Sequence, residues 1–415
     1  MNEADFRKPA TPGRLEPTVF RERIPGAPGG RQEVRGLGYV PHPLPAGLTA
    51  KEILPAIHKN LLDAVHDLAV LEGSAQRVQN PALLIGPFAR KEATHSSAIE
   101  NTFASQEQLV LFDVDESLIE SGQRQDVQEV SNYLAALRHG WKDSRPICLN
   151  LIKEMHAILL RGSARVEGRP GEFRTTQNAI GRPAAVFKDA RFVPPPPRFV
   201  AECLDSLEKY IHAESDLPML VRVAIVHYQL ECIHPFDDGN GRVGRLLVAL
   251  QLSRQCGLHM PLVYMSAFFD RHRSPYYDLL YSVSSDGGWV DWINFFLAGV
   301  SVQALDAHLR TQRLYTLHSK YNELVRTKRA SAILPKLIDT LFETPAITVQ
   351  SVQRIGRISQ PAAGKLVKKL EELGILHEHT GRRRNRVFVA REIFDIMKLD
   401  QIQSNQPPTA GGSPV

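Results

Sequence analysis

Cysteine is scarce in this chain. Four residues in 415, Cys148, Cys203, Cys232 and Cys256, are scattered with no C-x-x-C pair, so they read as small buried hydrophobes in a reducing compartment. Long apolar runs are absent as well. No stretch of eighteen uncharged apolar residues occurs, and no apolar h-region follows Met1, so a cytoplasmic protein without a membrane partner is expected. Charge of one sign is not in excess either. Fifty Lys and Arg face 45 Asp and Glu, and a net charge of +5 permits nucleic acid without demanding it. Alternating β-α runs are missing, which argues against a doubly wound sheet. What remains is an ordinary globular composition, 43% apolar and 23% charged, at a length that predicts two or three domains.

One stretch dominates: His234-Pro-Phe-Asp-Asp-Gly-Asn-Gly-Arg-Val-Gly-Arg245. Before it, Leu217–Ile233 is apolar on nearly every face and predicts a buried helix; after it, Leu246–Cys256 predicts a second. A glycine-rich turn feeding a helix N-terminus offers unpaired N–H groups and the positive end of the helix dipole to an anion. Gly239 and Gly241 let the backbone come close to that anion. Arg242 and Arg245, three apart, share a helix face and can reach a phosphate chain. Asp238 supplies a hard oxygen suited to Mg²⁺, and His234 is a base that titrates near neutrality. Taken singly, these are a helix stop, a turn and a cap. Together they make a phosphate-transfer site.

The full string resembles the signature of the Fic family, His-x-Phe-x-Asp/Glu-Gly-Asn-Gly-Arg-x-x-Arg. The kinase-like Doc relatives carry lysine in place of the second glycine; Gly241 here favours nucleotidyl transfer. The resemblance implies a mainly helical Fic-type core with a β-hairpin flap, ATP and Mg²⁺ as cofactors, and a protein substrate bearing a hydroxyl. His234 would be the catalytic base, Asp238 the metal ligand, and Asp238, Gly239, Asn240, Gly241, Arg242, Val243, Gly244 and Arg245 the nucleotide cradle. Further nucleotide contacts would come from the flap at Ile180, Gly181, Arg182 and Pro183. In Arg271–Tyr277, the first of the tyrosine pair, Tyr276, would line the adenine pocket, with Ser284 standing where some relatives hold asparagine. Upstream, Ser96-x-x-x-Glu100-Asn101 resembles the family's inhibitory motif; on composition alone it is a polar helix face. A Glu100 carboxylate paired to Arg245 would occupy the guanidinium that the γ-phosphate needs.

Along the rest of the chain, residues 1–36 are rich in Pro, Gly and Arg and read as a disordered or extended arm. Helices are expected over 50–72, 81–104, 105–112, 125–140 and 147–160, within a helical region of 37–145 and a catalytic core of 146–312. Turn chemistry and short β-type runs between Arg169 and Pro197, including Val186-Phe187, suggest the flap hairpin, which in the resemblance pairs with a target's backbone as an added strand. Arg174, Thr175 and Gln177 fit that flap pattern. A connector helix (313–329) leads to 330–395, where three short helices and a basic hairpin resemble a winged helix-turn-helix domain. Its tip carries Arg382, Arg383, Arg384 and Arg386: either phosphate contacts to DNA, or a solvated turn on a module that dimerises or recruits a partner. A disordered tail is expected over 396–415, and a homo-oligomer is allowed.

These readings converge on a protein adenylyltransferase that transfers AMP from Mg-ATP to a Ser, Thr or Tyr hydroxyl and is restrained by Glu100. Two alternatives stand beside it: the reverse hydrolysis of an AMP-modified protein, and a nucleotide-sensing DNA-binding regulator.

Overall fold

The computed structural model describes residues 3–23, 31–76, 78, 80, 82–163, 168–181, 190–326 and 331–398. After a 3-10 turn come strands β1 (Gly13–Arg23) and β2 (Arg31–Pro41). Five helices follow: α1 (Ala50–Ala75), α2 (Ala82–Ile99), α3 (Gln106–Val114), α4 (Arg124–Lys142) and α5 (Leu149–Leu159). Then come α6 (Pro197–His212), α7 (Met219–Ile233), α8 (Asn240–Gln255), α9 (Ser266–Arg271), α10 (Arg273–Asp286) and α11 (Trp289–Val325). The chain continues through α12 (Ile333–Glu343), β3 (Ala346–Thr348), α13 (Val349–Gly356), α14 (Gln360–Glu372), β4 (His377–Glu378), β5 (Val387–Val389) and α15 (Arg391–Lys398). The protein is mainly helical, as expected.

Two compact units emerge, and neither is continuous in sequence: 1–64 with 135–256 and 268–299, and 65–134 with 257–267 and 300–415. Boundaries near 145, 312 and 329 therefore do not delimit them. Residues 313–325 of the segment expected to be a separate connector lie inside the 37-residue helix α11, which also contains the apolar run from Trp289 to Leu297.

In the first unit, α7 has no polar face. Val221 to Leu230 are all buried, including Arg222, His227 and Gln229. Such a helix survives only if its polar side chains are satisfied. Arg222 donates to the carbonyls of Tyr210 and Ala213, both at 2.7 Å. His227 Nε2 meets the Tyr276 hydroxyl at 2.8 Å, and burial pulls its pKa down to about 3. α8 is as deeply buried, from Arg242 to Leu252.

The N-terminal stretch corrects the sequence reading. It is extended, but β1 and β2 pair antiparallel from Gly13–Pro41 to Arg23–Arg31. A lone two-stranded ribbon is marginal in water. This one is covered: Phe20 and Val34 pack against Ala190 and Val193, and Tyr39 N–H donates to the Val193 carbonyl at 2.8 Å. Gly38 is needed there, since a Cβ would stand 2.6 Å from the Pro194 carbonyl oxygen. The expected flap hairpin is reduced, among the described residues, to one antiparallel bridge between Ile180 and Phe192; Arg182, Pro183 and Val186-Phe187 lie outside them.

In the second unit, α12 buries Leu334, Leu337, Ile338, Leu341 and Phe342, a helical stripe. Arg90 of α2 donates to the Glu343 carbonyl at its end, at 3.0 Å. A capping box between Thr348 and Ser351 starts α13. The three short strands form one antiparallel sheet in the order β3-β5-β4. Strand β3 was not anticipated, and α15 extends to Lys398, past the expected start of the tail at 396. Among the described residues no helix is long and apolar enough to cross a membrane.

Candidate active site

Helix α7 stops at His234, which takes left-handed backbone angles, φ 49° and ψ 61°. For a residue other than glycine this costs on the order of 1–3 kcal/mol, and it persists only where the surroundings fix it. Here the fixing group is Arg174, 3% exposed. Its guanidinium donates to the carbonyls of His234 (2.8 Å), Ile233 (3.3 Å), Pro195 (2.7 Å) and Thr176 (3.1 Å). Its backbone N–H adds a bond to the Pro235 carbonyl at 2.9 Å. Burial lowers the Arg174 pKa to about 10, against a smaller opposing pull from Asp237. Asn178 Nδ2 reaches the carbonyls of His234 and Phe236 at 3.3 and 3.0 Å. His234 Nδ1 lies 3.3 Å from the Glu231 carbonyl oxygen. A carbonyl only accepts, so the ring proton sits on Nδ1 and the basic lone pair on Nε2.

Two residues on, Phe236 is locked to the start of α8. Its N–H donates to Asn240 Oδ1 and its carbonyl accepts from Asn240 Nδ2, both at 2.8 Å. The Asn240 side chain is thus committed to bracing the loop. His156 of α5 stacks on the Phe236 ring, centroids 3.7 Å apart. It accepts the Gly171 N–H on Nδ1 at 2.8 Å and donates from Nε2 to the Asp238 carbonyl at 3.0 Å. Burial drops its pKa to about 4, so it is neutral near pH 7. With the carbonyls of 234, 235, 236 and 238 all bonded to donors of the protein, few negative dipoles are left to oppose an anion at the helix start.

Asp238 is half-buried, with 42% of its side chain exposed; Oδ1 accepts the Gly239 N–H at 2.6 Å and lies 3.7 Å from an Arg242 nitrogen. Gly239 caps α8 at φ 76°, a conformation that favours glycine. Arg242 and Arg245 are buried at the first turns of α8, beside Val243, whose side chain is core. Gly244 lies close under Glu231, and a Cβ there would fall 2.1 Å from Glu231 Oε1 and displace that side chain.

The structure brings His234, Asp238, Gly239, Asn240, Gly241, Arg242 and Arg245 together at one helix start. Other expected residues stand elsewhere. Tyr276 is buried, 1% exposed, stacked on Phe269 at 4.4 Å and bonded to His227. Ser284 is buried too, its hydroxyl 2.8 Å from that of Tyr228. Ile180 is half-buried in its bridge, and Gly181 is exposed. Ser96 is buried in α2; Glu100 follows the helix end on the exposed side, and Asn101 turns the chain at φ 60°. Those three belong to the second unit.

Residues 146–252 match the Fic/DOC family model, and residues 58–142 match the model of the Fic/DOC family N-terminal region.

The chain carries a Fic domain.

Curated relatives agree. A protein adenylyltransferase fic-1 from Caenorhabditis briggsae is 31% identical over 215 residues, covering 49% of this chain and 39% of that protein. A protein adenylyltransferase Fic from Culex quinquefasciatus is 33% identical over 165 residues, covering 39% and 29%. The chain thus spans about two fifths or less of the length of these relatives. Among solved structures, a Fic family protein from Desulfovibrio desulfuricans shares the fold at TM-score 0.53 and 19% identity, over 83% of this chain and 98% of that one. A Fic domain containing signaling protein from Bacteroides thetaiotaomicron does so at TM-score 0.50 and 20% identity, over 61% and 97%.

Sequence reasoning missed the residues that hold the Fic loop. His156 and Asn178 carried no motif, and Arg174 was assigned only to the flap. Their bonds go to backbone carbonyls, and such bonds leave no pattern in a single sequence.

Proposed function

We propose that the Fic domain transfers AMP from Mg-ATP to a hydroxyl side chain of a protein. The observation that carries this reading is the left-handed His234, fixed immediately ahead of the α8 N-terminus with its lone pair on Nε2. Nε2 takes the hydroxyl proton as the oxygen attacks the α-phosphorus; the bond to the bridging oxygen breaks and pyrophosphate leaves. Arg242 and Arg245 grip the β- and γ-phosphates, and the N–H groups of the first α8 turn offset developing charge. Asp238 fits a single hard ligand for Mg²⁺: it is half-exposed, and only Oδ1 is engaged among the bonds described. Bound there, Mg²⁺ neutralises phosphate charge. Positioning and electrostatics supply most of the acceleration.

Glu100 restrains this activity by competing with the γ-phosphate for Arg245, a reading supported by the Ser96–Asn101 motif. The 330–395 module is a winged helix-turn-helix, supported by its element order and its β3-β5-β4 sheet. All four of its hairpin arginines are exposed. Arg382 is already engaged by Asp115 at 2.8 Å, while Arg386 lies over the Phe388 ring. DNA contact therefore rests on Arg383 and Arg384.

Incubation with ATP labelled at the α or the γ position tests the reaction. Protein labelling from α-labelled ATP alone is the expected result. Labelling from γ makes the domain a kinase, and release of AMP from a pre-modified protein without any incorporation makes it a hydrolase.

A further inference from the structure

We propose that two side chains upstream of the motif divide the control of its loop: Arg174 sets the base His234, and His156 sets the metal ligand Asp238. The proposal rests on the adenylyl-transfer reading and names positioning residues within it.

Every described bond of the Arg174 guanidinium ends on a carbonyl oxygen, none on a carboxylate. Burying a guanidinium in this way is costly unless its whole fork is used. Two of its acceptors, the Ile233 and His234 carbonyls, are oxygens that a helix leaves orphaned at its C-terminus. The backbone angles at His234, and hence the aim of its ring, follow from where Arg174 sits. Lysine would gather its donors on one ammonium nitrogen, which cannot span the same set of carbonyls.

His156 touches the other end of the loop. Its Nε2–H holds the Asp238 carbonyl, while Nδ1 holds the Gly171 N–H. With both ring nitrogens bonded to backbone, the tautomer and the ring plane are fixed, and the Asp238 carboxylate inherits that frame. Between the two ends, the Phe236 backbone is bonded on both its N–H and its carbonyl by Asn240, while His156 touches only its ring. The two controls are therefore separable.

The test uses the full chain carrying Glu100→Gly, with Arg174→Lys or His156→Phe added. His156→Phe keeps the stack on Phe236 and removes both hydrogen bonds. Two quantities are read: kcat for AMP incorporation, and the Mg²⁺ midpoint for binding of a fluorescent, non-hydrolysable ATP analogue. Arg174→Lys should lower kcat by about 10- to 100-fold, as a misaimed reacting group does, with the Mg²⁺ midpoint unmoved. His156→Phe should raise the Mg²⁺ midpoint by about 10- to 100-fold, with added Mg²⁺ recovering part of the rate. Guanidinium ion added to Arg174→Ala should restore activity. Should the Arg174 variants fail to fold, Asn178→Ala should lower kcat in the same sense. If each variant shifts both quantities together, the loop behaves as one unit and the division of labour is wrong. A parent chain that incorporates no AMP overturns the adenylyl-transfer reading instead, and the analogue titration still reads the His156 arm.

Discussion

Asn240 and Phe236 exchange two hydrogen bonds of 2.8 Å, closing the motif loop onto the first residue of α8. Both polar atoms of the Asn240 side chain take part in this closure, so the residue braces the fold of the site. Asn240→Asp keeps an acceptor for the Phe236 N–H but turns a carboxylate oxygen against the Phe236 carbonyl. A stability loss of about 1–3 kcal/mol is expected, the cost of one unmatched buried polar group. Urea denaturation measures it. An unchanged midpoint would mean that the loop closes without this pair.

His234→Ala should abolish AMP incorporation while leaving ATP affinity close to that of the parent chain, because the base acts on the incoming hydroxyl and not on the nucleotide. Equilibrium binding of labelled ATP, run beside the incorporation assay, separates the two effects. Comparable incorporation by the variant removes His234 from the reaction.

Glu100→Gly should incorporate AMP much faster than the wild type. Breaking an Arg–carboxylate pair from one side costs on the order of 3–5 kcal/mol when the pair is buried, which sets the upper limit of the gain. Since Arg245 serves both the restrained and the active state, Arg245→Ala combined with Glu100→Gly should show no activation. Initial rates for the four members of this cycle decide it; a Glu100→Gly rate equal to the wild type returns Glu100 to being an ordinary polar residue.

For the basic hairpin, the ion pair between Arg382 and Asp115 makes the four arginines unequal. Arg383→Ala with Arg384→Ala should flatten the salt dependence of duplex binding by about one unit of slope per lost phosphate contact. Arg382→Ala should leave that slope unchanged. If wild-type protein binds no duplex at low salt, the module serves a protein partner instead.

Asp306 should contribute to the acid limb of stability in the second unit. Burial alone would raise its carboxyl pKa, but the Arg310 hydrogen bond and the Lys91 and Arg310 charges outweigh it and hold the pKa below 3.8. A depressed carboxylate stabilises the fold above its unfolded pKa, and that contribution drains away as pH falls through the folded value. Asp306→Asn should therefore destabilise the protein at pH 7, by about 3–5 kcal/mol for a one-sided loss of a buried pair, and less as the pH falls below 3.8. Thermal melts across pH 3–7 follow it. A variant whose deficit does not shrink in acid shows that the Asp306 charge is not what matters.

The helices and the site were legible to different depths. α7 and α8 could be read because a helix buried on all sides leaves a run with apolar residues on nearly every face, and the glycines between them mark a turn whatever surrounds it. The motif itself was legible as chemistry, residue by residue. A tyrosine at a helix start looks the same in a pocket wall and in an aromatic core, so the bond of Tyr276 to His227 and its stack on Phe269 were not legible. The single long helix α11 was read as two pieces, since its face turns from apolar to polar near residue 300 without any breaker. Arg174 and His156 were invisible in their actual roles, because they recognise backbone shape.

The hairpin at the start of the chain bears on how the protein is handled. Its Pro, Gly and Arg content invites trimming to residue 37 before crystallisation or tagging. That cut would strip Phe20 and Val34 from Ala190 and Val193, and Phe6 from the rings of Tyr39, Phe192 and Tyr281. The segment laid bare is the one that carries Gln177, whose carbonyl oxygen is held by the Thr18 hydroxyl at 2.6 Å. A shortened protein would present sticky apolar surface a few residues from Arg174 and would precipitate or lose activity for reasons unrelated to its chemistry. Vectors should keep residue 3 onward intact.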